Sequence, residues 1–128
     1  MEFRNRLASN LFAAALVTVL GCSAHAQEKS ATIQGYVLDS ACAFIKNLGK
    51  PISRECALAC AKSGSPLVIL ADDGIIYWPI SDAMPATGQN ARLIKFAGQK
   101  VTVTGKVFER SGSRALVIER IEPAPARK

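Results

Sequence analysis

The stretch at residues 101–107, Val-Thr-Val-Thr-Gly-Lys-Val, constrains the fold more than any other part of the chain, because its residues alternate between apolar and polar. Strict alternation predicts a β-strand with one face on a core. Gly105 within this strand predicts a bulge or a sharp coil. Residues 111–113, Ser-Gly-Ser, predict a turn into a last strand at 115–121. The chain therefore ends in a β-hairpin.

Three further strands are predicted before this hairpin. Residues 33–39 are rich in β-branched and aromatic side chains, with Ile33 and Val37 on the opposite face from Tyr36. Residues 67–71 and 75–78 flank an Asp-Asp-Gly turn, whose Asp-Gly step is a strong hairpin signal. These segments add one single strand and one hairpin.

A two-turn helix is predicted between the two hairpins, capped by Asn90 and ended by Gly98. The order is then strand, strand, strand, helix, strand, strand, with a helical insertion after the first strand. Five short strands in this order predict a small, mostly β, OB-like barrel rather than an immunoglobulin-like sandwich of about seven strands. An SH3-like barrel is the nearest alternative.

The first 26 residues predict a cleaved signal peptide. Arg4 and Arg6 precede an apolar run of about a dozen residues, short of the roughly 20 that span a bilayer, and Ala-His-Ala at 24–26 fits signal peptidase. Val-Leu-Gly-Cys at 19–22 resembles a lipobox, so lipidation of Cys22 is the alternative. We expect a periplasmic or secreted protein with no transmembrane segment, or a lipid-anchored one.

Cleavage after Ala26 leaves 102 residues, enough for one domain. We predict a linker at 27–31, the barrel at 32–122 with a cysteine insertion at 40–64, and a disordered tail at 123–128. The oligomeric state is left open by the sequence.

The predicted mature chain contains no histidine, because His25 leaves with the signal. This excludes an imidazole base, a Ser-His-Asp or Cys-His pair and a His-ligated metal. No catalytic carboxylate pair stands out, so we expect a non-enzymatic protein, with a thiol oxidoreductase as the alternative. The mature chain keeps 14 basic and 9 acidic groups, a net charge of +5 that is compatible with an anionic partner.

Two short helices are predicted in the cysteine insertion. Ser40 caps the first, at 41–48, and Ser53 caps the second, at 54–63. Cys42 and Cys56 then lie near helix starts, where the helix dipole favours a thiolate.

Three cysteines, Cys42, Cys56 and Cys60, fall within nineteen residues of this insertion. Cys56 and Cys60 share a helix face with Cβ atoms about 5–6 Å apart, which strains a disulfide between them. A disulfide joining Cys42 to Cys56 or to Cys60 is therefore favoured, and it leaves one thiol over. Such a disulfide would act as a covalent staple of the insertion, and it requires no cofactor.

Two other uses of the thiols stay open. Three thiolates with Asp39 as a fourth ligand suit Zn or Cu(I). The spacing Cys-x-x-x-Cys also differs by one residue from the Cys-x-x-Cys of thiol oxidoreductases.

The chain resembles small secreted bacterial proteins of unknown function with OB-like domains. The resemblance covers most of the predicted mature chain and rests on the segments 35–42, 56–64 and 96–105, which carry Gly-x-x-x-Asp-x-x-Cys, Cys-x-x-x-Cys and Phe-Ala-Gly-x-x-Val-Thr-Val-Thr-Gly. Many members carry a histidine a few residues after the first cysteine, where this chain has Phe-Ile-Lys at 44–46. The resemblance therefore implies at most a variant metal site, and it carries over no catalytic residue.

A ligand-binding face is predicted where the third strand ends, since OB folds bind extended ligands on such a surface. Its aromatic side chains suit stacking on rings, and its basic side chains suit an anion. Because nucleic acid is scarce outside the cytoplasm, an anionic glycan, lipid or protein partner is favoured. For the aromatic residues, packing in the core or at a sheet edge is favoured over stacking on a ligand. The candidate residues are Tyr36, Tyr77, Trp78, Lys106 and Arg114.

Overall fold

The computed structural model describes residues 27–46 and 51–126, which form a closed five-stranded barrel with a helical insertion. The predicted signal peptide and the alternative lipidation site, Cys22, lie outside the described residues. Among the residues described, no helix is long and apolar enough to cross a membrane.

The elements follow the predicted order, so the predicted OB-like barrel is confirmed. They are β1 (Gln27–Asp39), α1 (Ser40–Ile45), α2 (Arg54–Lys62), β2 (Leu67–Ala71), β3 (Ile76–Ile80), α3 (Asn90–Leu93) with a 3-10 turn (Ile94–Phe96), β4 (Lys100–Arg110) and β5 (Ser113–Pro123).

The strands pair around the barrel in the order β1-β2-β3-β5-β4, and β4 closes it by pairing with β1. All pairs are antiparallel except β3 with β5. The predicted linker at 27–31 is wrong, because these residues already belong to β1 and pair with β4. At the other end, β5 includes Pro123, and the Ala124 N–H donates to the Lys100 carbonyl at 2.9 Å. The barrel thus extends two residues into the predicted tail.

Two apolar clusters hold the fold together, one on each face of β2. The first fills the barrel and includes Ile33, Ile69 and Leu116. The second lies between the outer face of the sheet and the insertion, and its buried members are Leu38, Ala43, Val68 and Leu70. All five β2 residues are buried because both of its faces are covered. The alternation predicted for β1 is confirmed, since Ile33 and Val37 face the barrel interior while Tyr36 and Leu38 contact the outer cluster.

Glycine is required where backbones approach closely, and Gly105 and Gly98 are two such positions. At Gly105 the register of β4 with β5 shifts, as predicted, and an added Cβ would lie 2.1 Å from the Val117 carbonyl oxygen. Gly98 has a φ of +72°, and its Cβ would lie 2.5 Å from the Cα of Arg54, the first residue of α2. The Arg54 guanidinium donates to the Ala97 carbonyl at 2.8 Å, so α2 is fixed against the turn that precedes β4.

Asn90 begins α3, but it is not the helix cap that the sequence predicts. Gln89 occupies the N-cap position without a side-chain hydrogen bond. The Asn90 side chain instead accepts from the Leu67 N–H and donates to the Ser65 carbonyl, both at 2.8 Å. It therefore joins the helix to the start of β2.

Candidate functional site

The helix α1 starts one residue earlier than predicted, and its cap is Asp39 rather than Ser40. The Asp39 Oδ1 accepts a hydrogen bond from the Cys42 N–H at 3.1 Å. Asp39 is the last residue of β1, so a strand end, a helix start and a carboxylate coincide at one position. The helix ends at Ile45 rather than extending to 48.

The second helix matches its prediction closely. Ser53 caps α2 by accepting a hydrogen bond from the Cys56 N–H at 3.2 Å, and Gly64, with a φ of +95°, follows its end. Cys42 and Cys56 therefore occupy the same position, three residues after a capping side chain, in two neighbouring helices.

The two helix starts bring Cys42 and Cys56 together. Their Sγ atoms are 4.0 Å apart, while Cys42, Cys56 and Cys60 are all free thiols. A disulfide has an S–S length of about 2.05 Å, so the structure shows two thiols in contact and no covalent bond. A cavity of about 40 Å³ opens beside them and is lined by Asp39, Lys46 and both sulfur-bearing residues.

The carboxylate of Asp39 dominates the electrostatics of this cluster. Asp39 is only 1% exposed, and its Oδ2 has no hydrogen-bond partner among the described residues. Hydrogen bonding to Asp39, together with burial and the negative charge, raises the pKa of Cys42 from 9.0 to about 12. Burial first, and then the charges of Asp39 and Cys56, raise the pKa of Cys60. The Asp39 carboxylate therefore acts against the thiolate that the helix dipole favours at Cys42.

The alternative metal site finds no support in this geometry. Across residues 27–46 and 51–126, no group of three or more His, Cys, Asp or Glu side chains is arranged to hold a metal ion. Asp39 and the three cysteines share a region, but they do not form a ligand set.

A second candidate site is a groove on the outer face of the barrel, where the insertion leaves the sheet uncovered. In the strand register, Ala115 of β5 lies between Trp78 of β3 and Phe108 of β4. The small side chain of Ala115 thus leaves a trough between two aromatic residues. The groove has a volume of about 630 Å³, and Arg110, Ser113 and Arg114 complete its lining.

Only two of the five predicted ligand-face residues, Trp78 and Arg114, line this groove. Tyr77 packs against the barrel interior, and Tyr36 packs in the outer cluster with Lys100 over its ring. Lys106 instead forms an ion pair with Glu28 at 3.2 Å.

Phe108 and Phe44 also belong to this site, although neither is among the residues predicted from the sequence. Phe108 follows Lys106 at the two-residue spacing of an outward-facing strand position, which is the one signal that marks it. Phe44 of α1 is 62% exposed, and its ring lies 6.1 Å from that of Trp78. Phe44 also lines an adjoining pocket together with Trp78 and Arg114. The insertion therefore contributes one wall next to the groove.

Comparison of the chain with protein-family models, with curated proteins and with solved structures finds no match. The resemblance to small secreted proteins thus stays a prediction, and function is argued from the two sites alone.

Proposed function

We propose that this protein is an exported, non-enzymatic binding module that takes an acidic glycan in the groove between Trp78 and Phe108. The groove between these two aromatic residues is the observation on which the proposal rests. The apolar faces of sugar rings stack on aromatic side chains, and Arg110 at the rim suits a carboxylate group on the chain. Arg114 pairs with Glu109 through Nε at 3.1 Å, so its terminal guanidinium nitrogens are the donors that suit a second carboxylate. The excess of basic over acidic groups attracts a polyanion at long range.

The cysteine insertion serves this module as a cap, stapled in an oxidising compartment by a disulfide between Cys42 and Cys56. The 4.0 Å contact favours Cys56 over Cys60 as the partner of Cys42. Closing a loop of about 15 residues contributes about 3 kcal/mol in the chain-entropy model. The staple fixes α1, and with it Phe44 beside the groove.

Tryptophan fluorescence tests the glycan proposal, because Trp78 is the only tryptophan in the chain. We expect polygalacturonate to change its emission in a saturable way at low salt, and neutral dextran of similar length to have no effect. Ala115→Leu fills the trough and should abolish the response. Equal responses to both polymers, or full binding by Ala115→Leu, would contradict the proposal.

Two arginine variants separate the groove from general surface charge. Arg114→Gln should weaken binding about two- to fivefold, the range expected for one exposed ion pair. Arg120→Gln is the matched control, because Arg120 is exposed, pairs with Glu122 and does not line the groove. The same loss in both variants would indicate nonspecific attraction and refute a defined site.

Intact mass tests the staple. Protein purified after export, denatured and alkylated without reduction should carry one alkyl group, and peptide mapping should place it on Cys60. Three alkyl groups would show that no disulfide forms.

A further inference from the structure

The thiol pair has a buried carboxylate beside it that the staple alone does not require. Asp39 needs only one oxygen to cap α1, since Oδ1 accepts from the Cys42 N–H. Its Oδ2 is buried without a partner in the part of the chain that the structure describes, an arrangement that costs about 1–3 kcal/mol for a polar group and more for a charged one. Ser40, the next residue, has a side chain that caps helices equally well without a charge. The unpaired oxygen therefore points to a chemical role.

We propose that Cys42 and Cys56 are a redox-active dithiol that exchanges with the disulfide of an exported partner protein, and that Asp39 accepts the Cys42 proton in this exchange. The inference deepens the disulfide staple of the proposed function by giving the bond a route of formation and a partner class. It is independent of what binds in the groove.

The exchange balances in two steps. In the first, the Cys56 thiolate attacks one sulfur of the partner disulfide, forming a mixed disulfide and releasing one partner thiolate. In the second, Cys42 transfers its proton to the Asp39 carboxylate, and its sulfur attacks the Cys56 sulfur and expels the second partner thiolate. Cys42 and Cys56 together lose two electrons and the partner disulfide gains them. Asp39 then returns the proton to solvent or to the departing thiolate.

The geometry assigns the two sulfur atoms to these steps. Cys56 is within contact of Cys42, so a mixed disulfide on Cys56 already lies within 4.0 Å of the second attacking sulfur. Cys42 is the thiol held protonated by Asp39, because the carboxylate raises its pKa to about 12. A thiol held in that state attacks only if a base takes its proton, and Asp39, whose Oδ1 accepts from the Cys42 N–H, is the buried carboxylate at this residue.

Among the described residues around this cluster, no other group offers a second base. Lys46 lines the cavity as a cation, and Glu55 on α2 is exposed. Cys60 lies one turn further along α2, and its own pKa is raised by burial and by the same carboxylate. Burial and the carboxylate therefore favour the protonated form of Cys60, which lies one turn away from the exchanging pair.

Closure kinetics test the role of Asp39. The reduced protein is mixed with glutathione disulfide between pH 6 and 9, and acid-quenched samples are analysed by mass for the mixed disulfide and the closed form. Asp39→Asn keeps a capping side chain but removes the base, so we expect closure at pH 7 to slow about 100-fold. If Asp39 acted only through its negative charge, the substitution would lower the Cys42 pKa and accelerate closure instead. Closure at the wild-type rate or faster in Asp39→Asn overturns the proposal.

Two further variants complete the test. Asp39→Ser also caps the helix and leaves space for a small carboxylate, so added formate should restore part of its lost rate, while chloride at equal ionic strength should not. Failure of this rescue contradicts proton transfer at this position. Cys60→Ser should close at the wild-type rate, and loss of closure in this variant would overturn the assignment of the pair. Polygalacturonate binding by the reduced proteins is measured in parallel, so that a failure of the groove proposal is recognised separately.

Discussion

The substitution Gly98→Ala tests how α2 is held in position for the cysteine pair. Gly98 has a φ of +72°, a conformation that costs a non-glycine residue about 1–2 kcal/mol. Its new Cβ would lie 2.5 Å from the Arg54 Cα, whereas carbon atoms normally approach to about 3.5–4.0 Å. The backbone of Arg54 must therefore move by about 1 Å, which adds about 1–3 kcal/mol of overpacking.

Gly74→Ala is the matched control for this substitution. Gly74 has a similar φ of +84°, but no atom lies within 4 Å of its added Cβ. We expect Gly74→Ala to lose about 1–2 kcal/mol of unfolding free energy, and Gly98→Ala to lose about 2–5 kcal/mol. Urea denaturation followed by Trp78 emission measures both values.

Gly98→Ala should also affect the thiols, because Cys56 lies two residues after Arg54. A displaced start of α2 lengthens the Cys42 to Cys56 contact, so disulfide closure should be slower in Gly98→Ala than in Gly74→Ala. Equal stability losses in the two variants would refute the reasoning, since they would show that the contact with Arg54 costs nothing.

Three further predictions concern the pH response and the packing. Asp39, together with burial, raises the pKa of Cys42 from 9.0 to about 12, so the reduced native state binds the thiol proton more tightly than the unfolded chain does. The contribution of this protonated thiol to the free energy of unfolding is complete below pH 9 and is lost as the pH rises towards 12. Urea midpoints of the reduced protein should therefore fall more steeply between pH 9 and 11.5 than those of Cys42→Ser, and parallel curves would contradict this. Leu116→Ala, at a fully buried position in the barrel, should cost about 2–5 kcal/mol in urea denaturation; a loss below about 1 kcal/mol would mean that the barrel interior is not close-packed there. Asn90→Ala breaks two hydrogen bonds to residues 65 and 67 and should cost about 1–3 kcal/mol in urea denaturation. A loss below about 0.5 kcal/mol, less than one typical hydrogen bond contributes, would contradict this prediction.

The structural features that the sequence predicts most accurately are those that depend on neighbouring residues. The Asp-Asp-Gly turn between β2 and β3 forms as predicted, with the Gly74 N–H donating to the Ala71 carbonyl and Asp73 accepting from the Ile75 N–H. The cap of α2 by Ser53 and the bulge at Gly105 are equally local, and both are confirmed. Each depends on a few neighbouring residues, whose preferences are visible in the chain itself.

The wrong predictions depend on distant partners. Residues 27–31 are polar and carry no strand signal of their own, yet they pair with β4, more than 70 positions later. Asp39 and Ser40 are both good caps, and Asp39 takes the role because β1 extends as far as this residue. The groove depends on the register of three strands, which no short motif encodes. The contact between Cys42 and Cys56 follows from two helix starts, of which that of α2 is predicted correctly and that of α1 is one residue out. The raised pKa of Cys42 requires the position of a buried carboxylate, which the sequence does not show.

The strand β2 makes the insertion and the barrel one cooperative unit. Leu67–Ala71 is a run of five buried residues, with one face in the barrel and the other beneath the insertion. If the insertion detached, Val68 and Leu70 would be exposed on a short, uncharged, β-prone segment, which is the kind of sequence that starts aggregation. Cys42 and Cys56, whose sulfur atoms are in contact, lie on the two helices of the insertion that covers the outer face of this strand. Breaking that contact should therefore reveal itself first as a loss of colloidal stability, before any loss of secondary structure.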